Sequence, residues 1–303
     1  MTASATSEES VLRRLAKRVL PQGVRKALRF AGTIPARISF AGARPGKAWL
    51  DERLLLHMQE QSPPFPSLRY DPTSVKIRGR SRARDLIAMM DSPDIGSFLE
   101  LGCWDGMVLA ELKRAGKNVV GIDRRREGFD PRAVRQGVEL IQMDAAYLEF
   151  PDTSFDAVFS YDCLEHVQKP WDVLREAARV TKPGGFVFLS FGPLYMSPWG
   201  AHLVPQIRVP YCHLLFTEDL LASFAAEHLG CSLDFESVNR LRVDEYRLGF
   251  HRLDSVLTPL EYRETREHAH LDLVRRYPER FRSCTERFDD LVVSSITVLF
   301  RRR

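Results

Sequence analysis

The sequence lacks several patterns that would place the chain in a specialised class. Its five cysteines among 303 residues form no Cys-x-x-Cys pair, so there is neither a zinc signature nor a disulfide framework. No apolar run approaches the ~20 residues that a membrane-spanning helix needs. The N-terminus also lacks the continuous apolar stretch of a secretory signal. We therefore expect reduced thiols, no transmembrane helix and a cytoplasmic location.

Charge is unevenly distributed along the chain. Residues 1–50 contain ten Lys or Arg and two acidic residues, so this segment carries +8 while the whole chain carries +4. The basic excess lies in this arm, and we expect no nucleic-acid partner for the rest. Within the arm, Val11–Leu20 mixes apolar and basic residues at helical spacing. This pattern predicts a basic amphipathic helix that packs on the domain, lies on an anionic membrane surface or belongs to a transit peptide.

The remaining chain alternates helical and β-rich segments. Helices are predicted around Leu50–Gln61 and Ser81–Met90, separated by a proline-rich connector. The predicted strands are Ser97–Leu101, Asn118–Ile122, Val138–Met143, Phe155–Ser160, Phe186–Ser190 and Leu291–Phe300, with Leu233–Val238 as a partner for the last. Such alternation predicts an α/β fold with a doubly wound, mostly parallel sheet and helices on both faces.

Two boundaries follow from this pattern. Residues 1–78 are expected to form the basic arm and connector, and residues 79–303 the main domain. A charged, helix-prone stretch at about residues 239–290, including Pro259–Arg276, is predicted to be an insertion. We expect it to lie beside the substrate site or at an oligomer contact.

The sharpest local motif is the segment Phe98–Gly106, in which an apolar strand runs into a glycine turn and then a helix. Glycines permit a tight turn and close approach of a ligand to the backbone, and the helix start offers unpaired N–H donors. About twenty residues further on, Asp123 ends the next strand, where a carboxylate can accept hydrogen bonds from ribose hydroxyls. Together these features predict a nucleotide-like cofactor at the carboxyl edge of the sheet.

From about residue 80 to residue 230 the sequence resembles the class I S-adenosylmethionine (SAM)-dependent methyltransferase family. The matching segments are Leu99–Gly102 with Gly106, Asp123, Met143–Ala145, Phe150–Val158, Leu164–Val167 and Arg179–Gly185. The resemblance implies a seven-stranded Rossmann-like sheet, S-adenosyl-L-methionine as cofactor and methyl transfer as the activity. It implies cofactor contacts from Glu100, Leu101, Gly102, Cys103, Trp104, Gly106, Asp123, Arg124, Asp144, Ala145 and Tyr161.

One residue departs from the family pattern. Trp104 stands where the middle glycine of the first motif is usual. Its indole is expected either to pack against the cofactor or to fill part of the cofactor site. The second case would leave a SAM-binding or regulatory protein of the same fold that performs no chemistry.

Methyl transfer needs a group that aligns the acceptor and removes its proton. The resemblance directs attention to the loops after the fourth and fifth strands, where His166, His202 and His213 are candidate bases because imidazole titrates near neutral pH. The alternative is that backbone groups satisfy these rings. Tyr195 and Trp199 are candidate acceptor-binding residues. His268 and His270 have no evident third ligand, so no metal is assigned.

These residues favour O-methylation of a small hydroxylated acceptor such as a sugar, glycan or natural product. The preference for a hydroxyl acceptor depends on the histidines, and N-methylation remains the alternative. The later motifs contain no Asn-Pro-Pro-Tyr-like signature, which argues against a methyltransferase that acts on nucleic-acid bases.

Overall fold

The computed structural model describes residues 22–46, 48–65, 71–92 and 94–303. The predicted amphipathic helix Val11–Leu20 lies outside these residues. The chain divides into two compact units, one formed by Met1–Trp49 with His268–Phe288 and the other by Leu50–Glu267 with Asp289–Arg303. The boundary at residue 78 and the insertion at 239–290 stay predictions.

The helices and strands follow each other as the alternating sequence pattern predicts. The helices are α1 (Gln22–Gly42), α2 (Glu52–Gln61), α3 (Pro72–Met90), α4 (Met107–Arg114), α5 (Pro131–Arg135), α6 (Pro170–Val180), α7 (Cys212–Leu215), α8 (Glu218–Phe224), α9 (Val243–His251), α10 (Leu271–Arg276), α11 (Pro278–Cys284) and α12 (Phe288–Val292). The strands are β1 (Ser97–Leu101), β2 (Asn118–Asp123), β3 (Glu139–Gln142), β4 (Phe155–Tyr161), β5 (Thr181–Phe191), β6 (Leu257–Arg266) and β7 (Val293–Arg302).

Aspartate caps start α2 and α3, the second and third of the described helices. The side chain of Asp51 accepts a hydrogen bond from the main-chain N of Leu54 at the start of α2. Asp71 caps α3 in the same way, and Pro72 occupies its first turn, where no N–H is needed. Both predicted helices are confirmed, but α3 begins at Pro72 rather than near Ser81 because this cap sets its start.

The strands form one sheet in the order β3-β2-β1-β4-β5-β7-β6. Strands β1 to β5 pair in parallel, while β7 runs antiparallel to both of its neighbours. Alternate residues of β1 enter two separate apolar clusters, Leu99 and Leu101 in one and Phe98 in the other. The predicted seven-stranded, doubly wound α/β fold is therefore confirmed, with apolar packing on both faces.

The predicted partner of the last strand is wrong. Leu233–Val238 forms no strand, and β7 instead pairs with β5 and with β6. Strand β6 overlaps the first part of Pro259–Arg276, the stretch predicted to be helix-prone, and only Leu271–Arg276 of that stretch is helical. Its residues 259–263 are all exposed, so this edge strand has no apolar alternation. Strand β6 is held by backbone pairing with β7, and hydrophobic periodicity in the sequence does not detect such pairing.

The described helices include none that combines the length and apolarity required to cross a bilayer.

Candidate active site

A glycine turn leaves the carboxyl end of β1. Gly102 has φ +69°, and a Cβ there would lie 2.4 Å from Sγ of Cys163. Gly106 has φ +68° and directly precedes α4, where a Cβ would lie 2.9 Å from Cδ2 of Leu140. Only glycine meets both constraints, since side chains at positive φ are strained and the space is taken. The turn is thus packed closely between the ends of β3 and β4.

Asp123 connects this turn to the end of β2. One carboxylate oxygen accepts from the main-chain N of Trp104 at 3.1 Å and the other from the main-chain N of Arg125 at 3.0 Å. The carbonyl of Asp123 accepts from the N of Met143 at 2.9 Å, which brings Asp144 and Ala145 next to the same edge. The predicted residues after β1, β2 and β3 therefore lie at adjacent strand ends.

The remaining predicted residues at this edge are held by the main chain. The N of Cys103 donates to the carbonyl of Ile122 at 2.9 Å, and burial raises the pKa of its thiol far above the usual range. The carbonyl of Arg124 accepts from the side chain of Gln142 at 3.0 Å. These bonds fix the backbone of the turn and of the β2 end.

The indole of Trp104 lies against the loop that follows β2. Trp104 has φ 42°, and a Cβ placed on Gly128 would come within 2.5 Å of the indole ring. The guanidinium of Arg125 lies 6.0 Å from the ring centre, and Trp104 is 43% exposed. The indole thus rests on the 125–128 loop with part of its surface open.

Glu100 is a buried carboxyl group directly below the glycine turn. It is 3% exposed, and its Oε2 has no hydrogen-bond partner among the described residues. Burial raises its pKa well above the usual range, the charge of Asp105 adds to the rise, and Arg82 opposes it. Buried polar atoms are nearly always hydrogen-bonded, so an unpartnered oxygen here indicates a place where a ligand donor fits.

Helix α3 contributes two arginines that the sequence analysis did not select. Arg82 forms an ion pair with Asp162, just after β4, and its guanidinium lies 4.6 Å from the ring centre of Tyr161. The hydroxyl of Tyr161 donates to the carbonyl of Arg82 at 3.1 Å. One helical turn earlier, Arg78 lies 3.4 Å from the carboxylate of Asp105. No local motif marks these positions, because their partners are distant in sequence.

The structure brings His166 and His202 together. Their ring centroids are 4.8 Å apart in an edge-to-face arrangement. Nδ1 of His166 lies 2.5 Å from the carbonyl oxygen of Ser237, and Nε2 of His202 lies 2.8 Å from that of Pro193. Burial lowers the pKa of His202 to about 4. A carbonyl accepts only, so each bonded nitrogen carries the proton and each ring keeps one basic nitrogen: Nε2 of His166 and Nδ1 of His202.

His213 lies beside Tyr195 instead. The two ring centroids are 4.7 Å apart, and Nε2 of His213 lies 2.5 Å from the carbonyl oxygen of Tyr195. His213 is 7% exposed, and burial lowers its pKa to about 4. Arg240 lies 5.5 Å from the ring centre of Tyr195. Tyr195, one of the two candidate acceptor-binding residues, therefore packs against His213.

Trp199 has a different environment. Its indole Nε1 donates to a carboxylate oxygen of Glu267 at 3.3 Å, and its ring meets Phe65 edge-on at 4.9 Å between centroids. Tyr195 and Trp199 thus make separate aromatic contacts within one loop.

Glu165 is a second buried carboxyl that the sequence analysis passed over in favour of its neighbour His166. It is 1% exposed. Its Oε1 accepts from the N of Gly192 at 3.0 Å, and its Oε2 has no partner among the described residues. Burial raises its pKa to about 8, so the carboxyl is mostly protonated at neutral pH. This group connects the loops that follow β4 and β5.

Residues 99–189 match the family model described as a methyltransferase domain. An uncharacterized methyltransferase of Mycobacterium leprae is 30% identical over 135 residues, which cover 41% of this chain and 50% of that protein. The ubiquinone biosynthesis O-methyltransferase of Ralstonia nicotianae is 38% identical over 99 residues, or 30% of this chain and 41% of that protein. The predicted resemblance to the class I SAM-dependent methyltransferase family is thus confirmed over residues 99–189.

The chain spans about half the length of the curated relatives that it matches. Among solved structures, a protein from Pyrococcus horikoshii is similar, with a TM-score of 0.47, 18% identity and coverage of 79% of this chain and 96% of that one. A geranyl diphosphate methyltransferase in complex with SAM has a TM-score of 0.43 and 17% identity, covering 74% of this chain and 84% of that one.

The residues at the carboxyl edge of the sheet fit SAM, the cofactor of the family that the chain resembles. The turn at Gly102 and Gly106 packs against Cys163 and Leu140 and brings its main chain to this edge. Glu100 offers an unpartnered buried oxygen, and Asp123 presents its carboxylate at the neighbouring strand end. The cofactor would lie across the carboxyl ends of β1 and β2, the usual ligand edge of a doubly wound sheet.

Proposed function

We propose that this protein transfers a methyl group from SAM to a hydroxyl oxygen of a small acceptor such as a sugar, glycan or natural product. The unpartnered carboxyl oxygen of Glu100 beside the glycine turn is the observation that carries the cofactor part of this proposal. The 38% sequence identity over 99 residues to an O-methyltransferase of ubiquinone biosynthesis supports a hydroxyl acceptor.

SAM, when bound, supplies an electrophilic methyl group on a sulfonium sulfur. Asp123 would hold the ribose hydroxyls, and Asp144 and Ala145 would border the adenine. Arg82, which pairs with Asp162 and opposes the raised pKa of Glu100, would supply positive charge for the cofactor carboxylate. The open part of the Trp104 indole provides an apolar surface beside these groups.

His166 is the preferred base among the three histidines. It is exposed in the loop that follows β4, and its bond to Ser237 orients the ring with Nε2 as proton acceptor. In this orientation Nε2 would accept the hydroxyl proton of an acceptor during methyl transfer. His202 and His213 have low pKa values and stay neutral. Their bonds to the carbonyls of Pro193 and Tyr195 order the loop after β5. Tyr195 and Trp199 contact the acceptor.

Radiolabelled SAM incubated with methyl glycosides and phenolic acids, alongside their amino counterparts, tests this function. We expect label in the hydroxyl acceptors, a large loss in His166→Ala and no loss in His57→Ala, an exposed histidine on α2. Label in the amines alone would contradict O-methylation. SAM binding without any labelled product would favour the non-catalytic alternative.

We also propose that the basic arm holds this cytoplasmic protein at an anionic inner membrane surface. The unit Met1–Trp49 with His268–Phe288 contains fifteen Lys or Arg and five acidic residues, so it carries +10 and the remaining chain −6. On α1, Ile34 and Ile38 are 42% and 68% exposed. Exposed apolar groups beside basic charge favour binding to anionic lipid.

Vesicle co-sedimentation tests the membrane proposal. Vesicles that contain phosphatidylglycerol should bind the protein more strongly than vesicles of phosphatidylcholine alone. The variant in which Arg13, Arg14, Lys17 and Arg18 are replaced by Gln should lose this preference. Unchanged binding by the variant would refute the role of the arm.

A further inference from the structure

A pocket lies at the end of the sheet opposite the candidate active site. Its volume is about 520 Å³, and it is bordered by α6, by the end of α9 and by Arg302 at the end of β7. In the sheet, Phe191 at the carboxyl end of β5 pairs with Ile296, whereas Arg302 pairs with Leu257. Six residues of extended chain separate Ile296 from Arg302, or ~20 Å. This pocket is therefore distinct from the cofactor edge.

The inner wall of the pocket is apolar and aromatic. Trp171 packs so closely on Gly249 that a Cβ there would lie 2.1 Å from the indole. Leu253 and Val256 complete this wall. A volume of this size is in the range of small-molecule sites, which are mostly apolar with a few polar groups that fix orientation.

Three arginines border the same space, namely Arg175, Arg252 and Arg302. The residues that line the pocket include no acidic side chain. Of the nearby carboxylates, Asp172 pairs with Arg175 itself and offsets its charge, whereas Asp254 pairs with His251 outside the pocket lining. Arg252 and Arg302 therefore supply most of the positive charge at this pocket.

The arginines differ in how firmly the protein holds them. Arg302 is fixed by hydrogen bonds to the carbonyl of Ala178 and to the main-chain oxygen of Arg303, both at 2.7 Å. Arg175 and Arg252 are exposed. The unit that contains them carries −6 overall, so this local positive charge runs against its average composition.

We propose that this pocket binds an amphipathic anion, a molecule with an apolar chain or ring and one carboxylate or phosphate group. The apolar part packs on Trp171, Leu253 and Val256, and the anionic group meets the arginines. Guanidinium groups bind both carboxylate and phosphate through charge-assisted hydrogen bonds. The site is separate from methyl transfer, so its test does not depend on the proposed function.

Calorimetric titration of the full chain with decanoate and with decyl phosphate, each below its micelle concentration, tests the site. 1-Decanol serves as the neutral probe. The double variant Arg175→Gln/Arg252→Gln removes two exposed charges, and Ser255→Trp fills the rim of the pocket. The matched control, Arg53→Gln/Arg263→Gln, removes two exposed arginines located elsewhere. Circular dichroism melting checks that every variant folds.

We expect at least one of the two anions to bind, and decanol to bind about tenfold more weakly. Both pocket variants should raise the Kd by about tenfold, while the control keeps the wild-type value. The tighter of the two anions identifies the preferred charged group. Absence of binding by both anions, or equal affinity in wild type, pocket variants and control, would overturn the proposal.

Discussion

His213 is a buried histidine that the folded protein keeps neutral. Burial lowers its pKa from about 6.5 to about 4. As the pH falls below 6.5, the unfolded chain takes up a proton that the folded protein does not, so stability is present above pH 6.5 and is lost as the pH falls toward 4. For these two pKa values the free energy of unfolding falls by about 2 kcal/mol between pH 7 and pH 5.

The variant His213→Gln removes this titration. Its side-chain amide can still donate to the carbonyl of Tyr195, the partner of the histidine. Urea unfolding at pH 7 and pH 5 should show that the variant loses about 2 kcal/mol less than the wild type on acidification. His57→Gln, at an exposed histidine on α2, is the control and should retain the wild-type pH dependence. An equal pH dependence in His213→Gln and wild type would refute the reasoning.

Two further predictions concern the cofactor edge. Gly102→Ala should lower the free energy of unfolding by about 2–4 kcal/mol, because it combines a positive φ with a Cβ placed 2.4 Å from Sγ of Cys163. Gly184→Ala has a positive φ but open space and should cost only about 1 kcal/mol; equal costs in urea unfolding would contradict the overlap argument. Arg82→Gln should raise the Kd for SAM about fivefold or more in calorimetry, whereas the exposed Arg80→Gln should leave it unchanged. A normal Kd in Arg82→Gln would remove the proposed role of Arg82.

The cofactor edge could be predicted because local sequence determines it. A strand, a glycine turn and a helix occupy consecutive positions from Phe98 to Arg114. Parallel pairing then brings Asp123 to the same edge as Gly102. The inner strands are also apolar enough for periodicity to reveal them, whereas the count of seven strands came from the resemblance to the methyltransferase family.

The residues that were not predicted depend on distant contacts. Arg82 meets Asp162 across eighty positions of sequence, and nothing in α3 marks that residue apart from its neighbours. Burial is what distinguishes Glu165, and burial of a single acid cannot be read from a short motif. Strand β6 is exposed along most of its length, so its pairing with β7 is invisible to hydrophobic patterning.

Calorimetric titration of the purified protein with SAM tests the central claim most directly. We predict binding by the wild type, and a Kd about tenfold higher in Asp123→Ala, because the variant loses the ribose contacts and the bonds to Trp104 and Arg125. Asp94→Ala removes an exposed carboxylate before β1 and should bind as the wild type does. No binding by the wild type, or equal affinity in Asp123→Ala, would contradict the cofactor site.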